Sequence, residues 1–221
     1  MKIKLLSVAL SIVLSATVLS ANAQKSYPEG LVTINTSAGG QNVEVKEYFR
    51  KDSIAAIFSA GPAKIKLLSD ANYKFFAVVA EVADFKVKKA AIYTTAEIAQ
   101  ALSVSPTFSF APSTETKQIS GFNCKKVVAT DIKTKKTYDI WITSDIALPA
   151  AVIEKYYAAI GGVPIQYVSF QQGPDGNLSI ADYIVTSVSD QKAPAGTFSI
   201  APDFDKISKT ELDAMAAHGN Q

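Results

Sequence analysis

The sequence predicts an α+β fold, mainly antiparallel β, with a few short helices packed on one face of the sheet. Three observations carry that expectation. After residue 24 most of the chain consists of short stretches rich in Val, Ile, Thr, Tyr and Phe, separated by Gly, Pro, Asn and Asp, the punctuation of antiparallel strands. Helix-start and helix-stop signals occur only in a few places. The strands between them follow one another by hairpin-type connections, which builds an antiparallel sheet with its helices segregated to one side.

Taken in order, LVTINTS (31–37) and NVEVKEYFR (42–50) flank Ala38-Gly39-Gly40-Gln41, whose glycines take positive φ freely. SIAAIFSA (53–60) and AKIKLLSD (63–70) flank Gly61-Pro62 in the same way, and YKFFAVVAEV (73–82) and KVKKAAIYT (86–94) are each about one strand long. A helix is expected next: Thr94 stands three residues before Glu97, the capping-box spacing, Ile98 and Leu102 share a face, and Pro106 lies beyond its end. Residues 105–116, rich in Pro, Ser and Thr, read as a link. ETKQISGFNCKKVVATD (115–131) and KTYDIWITSD (136–145) then form a hairpin across the charged turn Asp131 to Lys135, with Gly121 marking where its first strand begins.

A second helix is predicted between Pro149 and Gly161-Gly162, with Val152, Ile153, Tyr156, Tyr157 and Ile160 forming its buried stripe. PIQYVSFQQ (164–172) and LSIADYIVTSVS (178–189) make a third hairpin around Gly173 to Asn177. After a tail from Pro194 to Ile200, Ser208 and Glu211 repeat the capping-box spacing and predict a short terminal helix.

Residues 1–23 read as a secretory signal: Lys2 and Lys4, an apolar run from Leu5 to about Leu19, and Ala21-Asn22-Ala23 before an expected cleavage ahead of Gln24. The apolar run is too short and too serine-rich for a bilayer span, and no later stretch is long and apolar enough for one. Removing the signal takes two lysines away and leaves 20 basic against 20 acidic residues. A neutral surface lacks the basic stripe that nucleic acid requires, so no nucleic-acid partner is expected. The remaining chain, 24–221, is read as one domain. Its single cysteine excludes a disulfide-stapled scaffold and suits a periplasmic protein.

Candidate chemistry is sparse. His218, the sole histidine, sits beside Gly219 near the end of the chain and reads as a solvated tail residue. Without an internal histidine, Ser-His or Cys-His nucleophilic catalysis and an ordinary zinc site each lose a required part. A carboxylate pair remains possible, and Asp139, Asp145 and Asp182 are the candidates, although their strand and turn positions favour bonds to backbone. Asp175-Gly176-Asn177 lacks the further ligands of a calcium loop. Gly39-Gly40 and Gly161-Gly162 are not phosphate-binding fingerprints. No metal, cofactor or catalytic residue is therefore expected. Cys124 reads as a small buried hydrophobe, with Phe122, Cys124 and Val128 on one face and Lys126 the exception.

TETKQISGFNCKKVVATD, KTYDIWITSDI with GGVPIQYVSFQ, and GTFSIAPDFDKISKTELDAM resemble, in that order, segments of a family of exported Gram-negative proteins known as a domain of unknown function. That family is similar in architecture to periplasmic lipoprotein carriers. The likeness covers about half of the chain and implies a half-open β-barrel with short helices packed on its concave face. It implies no activity. Phe122 and Phe204 stand where the family pattern has tyrosine.

A half-open barrel with helices at its mouth leaves room for an apolar cavity. Phe75 and Phe76, from a strand apolar on both faces, with Trp141, Tyr156 and Tyr157, are the candidate lining residues; Cys124 and Gly121 are structural. The expected function is non-enzymatic binding, in the periplasm, of a hydrophobic ligand: a lipid or the acyl part of a lipoprotein. The alternatives are an envelope interaction or structural protein that uses the barrel as a scaffold, and a hydrolase with a carboxylate pair. No feature of the sequence speaks to oligomeric state.

Overall fold

A computed structural model describes residues 24–38, 40–172 and 178–218. The predicted signal, Gly39, the turn at 173–177, Gly219 and the side chain of His218 lie outside the described residues. The strands are β1 (Lys25–Ser26), β2 (Gly30–Ala38), β3 (Gln41–Arg50), β4 (Ser53–Ala60), β5 (Ala63–Asp70), β6 (Phe76–Val82) and β7 (Val87–Ile92). Helix α1 (Thr95–Ser103) follows, then β8 (Phe108–Ile119), β9 (Phe122–Asp131), β10 (Thr137–Thr143), β11 (Ile146–Ala147), β12 (Val163–Gln172), β13 (Leu178–Ser189), β14 (Asp205–Ile207) and α2 (Lys209–His218).

One sheet holds twelve of these strands in the order β14-β7-β6-β5-β4-β3-β2-β13-β12-β10-β9-β8, and its outer strands do not pair with each other. The fold is thus α+β, mainly antiparallel, half-open and barrel-like. Two short pairings are parallel, β14 with β7 and β1 with β11. Both expected capping boxes form: the Thr94 hydroxyl accepts from Glu97 N at 3.2 Å while the Glu97 carboxylate accepts from Thr94 N at 2.7 Å, and Ser208 and Glu211 repeat the same two distances.

The structure corrects several local expectations. Residues 105–116 are not a link, because β8 runs from Phe108 and pairs with β9. Pro112 is tolerated there because β8 is an edge strand, and the register shifts between Pro112 and Thr116. Ser120 (φ 50°) and Gly121 (φ 85°) together form the two-residue turn between these strands, the geometry that matches strand twist. The strand expected from residue 73 starts at Phe76, since the Asp70 carboxylate accepts from Lys74 N at 2.6 Å and Phe75 N at 2.8 Å and holds 70–75 as a turn.

The helix expected between Pro149 and Gly161 is two 3-10 turns, Ala150–Val152 and Lys155–Tyr157, split by extended backbone at Ile153 (ψ 123°) and Glu154 (ψ 134°). Adjacent β-branched Val152 and Ile153 are poor helix formers, which favours the break. The tail before α2 is irregular up to Phe204.

Strand alternation divides the core between the two faces of the sheet. On the convex face Ala55, Leu68, Ala77, Val79 and Ala90 are covered by Phe198, Ile200 and Phe204 of the C-terminal strap. This covering explains the two-sided apolar character of β6. At the other end of the sheet Phe108 stacks on Tyr157 at 5.7 Å within a cluster that includes Val127, Ala129, Ile140 and Ile142. Between them the concave face carries Val32, Ile34, Val45, Phe49, Ile165 and Val185.

Candidate binding cavity

The inward residues of β3 to β6 are small or slender: Val43, Val45, Ala56 and Leu67 point to the concave side together with Phe58 and Phe76. Among the described residues no helix fills the space above them, although α1 reaches its edge. Leu102 of α1, Ser105, Lys155 and Tyr156 line its other side, and Ser169, Phe170, Ala181 and Tyr183 of β12 and β13 complete the wall. The result is a cavity of about 620 Å³, open on one side and within the size range of ligand sites.

Two carboxyl groups, Glu47 of β3 and Glu154 between the 3-10 turns, line this cavity. They also line a small hollow beneath it together with Ile34, Tyr157, Tyr167 and Val185, which places them at its floor. Glu47 has no hydrogen-bond or ion-pair partner among the described residues, and Glu154 accepts from the Ser169 hydroxyl. Burial pushes the Glu47 carboxyl up to about 7. Burial, with the Glu47 charge adding to it, pushes Glu154 up to about 8. The phenols of Tyr73, Tyr157, Tyr167 and Tyr183 are likewise raised, first by burial and then by the Glu154 charge, with Glu47 adding to it for Tyr73, Tyr167 and Tyr183. The Thr36 hydroxyl, in the same lining, is buried without a partner among the described residues.

Of the residues expected to line a cavity, Phe76 and Tyr156 do so. Tyr157 is fully buried beside it, with its hydroxyl donating to Val168 O at 2.8 Å. Phe75 is 39% exposed on the 70–75 turn. Trp141 is half-buried on β10 with the Lys117 ammonium 4.0 Å over its ring. Cys124 is 1% exposed and burial raises its thiol, so a thiol reagent should label it only on unfolding; rapid labelling of the native protein would contradict this. Lys126, the exception on its face, pairs with Glu115 and with Asp139 at 3.3 Å.

The candidate carboxylates do not meet in a cleft. Asp145 accepts from Asn123 N at 2.7 Å, Asp139 pairs with Lys126, and Asp182 is exposed. Among the described residues no group of three His, Cys, Asp or Glu side chains converges as a metal site, and no helix is long and apolar enough to cross a membrane.

Sequence reasoning missed Glu47 and Glu154. Glu47 had a signal, since Val43, Val45, Glu47 and Phe49 share one parity and the glutamate interrupts an apolar face. Glu154 had none, because a regular helix would have turned it away from the Val152, Ile153, Tyr156 and Tyr157 stripe.

Fold and site together define a half-open antiparallel barrel with an apolar cavity floored by two carboxyl groups. No protein-family model matches the chain, and no curated protein matches it. A solved structure of PNGF-II in a C2 crystal form superposes with a TM-score of 0.45 at 16% identity, over 85% of this chain and 32% of that one. This chain spans about a third of that structure's length, and the likeness is too slight to carry an argument.

Proposed function

We propose that the protein binds a hydrophobic ligand, a lipid or the acyl part of a lipoprotein, in the concave cavity and does so without catalysis. The observation that supports this reading best is the 620 Å³ hollow itself, walled mainly by Val, Ala, Leu, Phe and Tyr. Apolar surface left uncovered inside a fold gains by receiving an apolar guest, about 0.8 kcal/mol for each methylene taken out of water. The reading places the protein in the periplasm, on the strength of residues 1–23.

Native mass spectrometry of the purified protein tests it, together with titration by straight-chain alcohols. Co-purifying lipid is expected, and affinity rising about fourfold per added methylene until the cavity is full. A protein that emerges empty and shows no chain-length dependence would overturn the reading.

A carboxylate-pair hydrolase is the second reading, favoured by Glu47 and Glu154 sharing one cavity. Acid/base pairs work by having their pKa values pushed apart, whereas burial here pushes both carboxyls up. Turnover of chromogenic glycosides that disappears in Glu154→Gln would establish it.

A further inference from the structure

We infer that the ligand of the concave cavity is an amphiphile whose polar end is a cationic amine, seated on Glu47 and Glu154 at the cavity floor. The inference rests on the binding reading above and adds the head group to it.

The argument starts from what the floor lacks. Two carboxyl groups sit below an apolar wall, and no Lys or Arg pairs with either among the described residues. Lys155 is the one basic residue in the described lining; it is exposed, with its ammonium 5.9 Å from the Tyr73 ring. Both glutamates are half-buried; charges drawn out of water in a fold are usually paired, and two like groups without a counterion are costly unless they are neutral or a cation arrives. A carboxylate or phosphate head would meet two groups of its own sign. An ammonium head would meet two acceptors, and the aromatic faces of Phe58, Phe76, Tyr73 and Tyr183 in the same lining attract cations.

The contrast with the convex side supports this. There Lys46, Lys64 and Lys66 line a hollow together with Glu44 and Glu81, so both signs are present. On the concave side the floor carries one sign only.

A cation on the floor favours the ionised carboxyls. Binding should therefore release protons and tighten as pH rises through the region where the empty floor titrates, about 7 for Glu47 and about 8 for Glu154. The other titratable groups facing the pair are the phenols of Tyr73, Tyr157, Tyr167 and Tyr183, all held neutral there because their pKa values are raised, the Tyr156 hydroxyl, which accepts from Phe170 N at 3.0 Å, and Lys155 at the rim.

Calorimetric titration of the purified protein with dodecylammonium, dodecanol and dodecanoate, near pH 8 and below micelle formation, separates the possibilities. Dodecylammonium is expected to bind ~10-fold tighter than dodecanol, with dodecanoate weakest. The double variant Glu47→Gln, Glu154→Gln should keep its fold by circular dichroism and lose both the preference for dodecylammonium over dodecanol and the proton release measured between buffers of different ionisation enthalpy. Dodecanoate binding as tightly as dodecylammonium overturns the inference, and so does an ammonium preference that survives in the double variant. If dodecanol does not bind either, the cavity reading itself fails and takes this one with it.

Discussion

Strands β3 to β6 are hollow on both sides, and the two hollows handle charge in opposite ways. The convex one, about 710 Å³, lies under the C-terminal strap and is lined by charges of both signs. Lys46 lies 3.5 Å from Glu44, and the Lys66 ammonium donates to the carbonyls of Gly196 at 3.3 Å and Ser199 at 2.7 Å. The concave one is walled mainly by apolar side chains, and its two carboxyls have no cationic partner among the described residues. Lys46 and Glu47 are neighbours in sequence, yet strand alternation sends them to these two environments. A charge that can meet a partner strap or water costs little, whereas one sent into an apolar floor must give up its ionisation or find a cation.

The largest expected consequence is in the pH dependence of stability. The folded pKa values of Glu47 and Glu154 lie above the ordinary 4.5, so between about 4.5 and 8 the folded chain holds more protons than the unfolded one. Stability is fully present below that window and is lost as pH rises through it, on the order of 3 kcal/mol per carboxyl. Urea denaturation at the two ends of the window should show the fall, and the double glutamine variant should flatten it. A curve of equal height at both ends in the wild-type protein would mean that the floor is wetter than its geometry indicates.

Next in size is a pair of neighbouring substitutions. Ala55 is fully buried beneath the strap, so Ala55→Phe should destabilise by roughly 1–3 kcal/mol through overpacking. Ala56 faces the cavity, so Ala56→Phe should change stability by less than about 1 kcal/mol while blocking alcohol binding. Equal stability losses at the two positions would remove the distinction between a filled face and an open one.

The smallest effects belong to the strap. Phe198 is half-buried with the Arg50 guanidinium 4.5 Å over its ring, and Phe198→Ala should cost about 1–2 kcal/mol. Lys66→Met, which removes its two bonds to strap carbonyls, should cost about 1 kcal/mol and leave concave-face binding unchanged. Chemical denaturation with alcohol titration of each variant checks both.

Much of this frame was legible before any coordinates. The hairpins between β2 and β3 and between β4 and β5, and both capping boxes, follow from local rules, and local rules act through neighbours in sequence. Where the structure departs from the sequence reading the cause is in places local, as with the Asp70 carboxylate that holds the 70–75 turn, and in places a distant contact. Pro112 is permitted in β8 only because that strand ends up at an edge. The 150–160 segment gives up a regular helix, and the extended backbone at Ile153 and Glu154 brings Glu154 into the lining of the cavity. The strap of residues 194–204 earns its irregular path by covering Ala55, Leu68 and Ala77 from more than a hundred positions away in the chain.

The candidate site divides in the same manner. Phe76 and Tyr156 were visible as apolar residues, and the broken parity of β3 marked Glu47, but nothing local brought Glu154 to meet it. The sequence by itself determined strand alternation, turn positions and helix starts, because these depend on φ/ψ preferences and short-range hydrogen bonds. Only the tertiary structure decided which apolar residues close-pack and which are left around a hollow, and that two carboxyls share its floor. Those outcomes depend on sheet curvature and on packing between segments far apart in the chain, and no residue carries either alone.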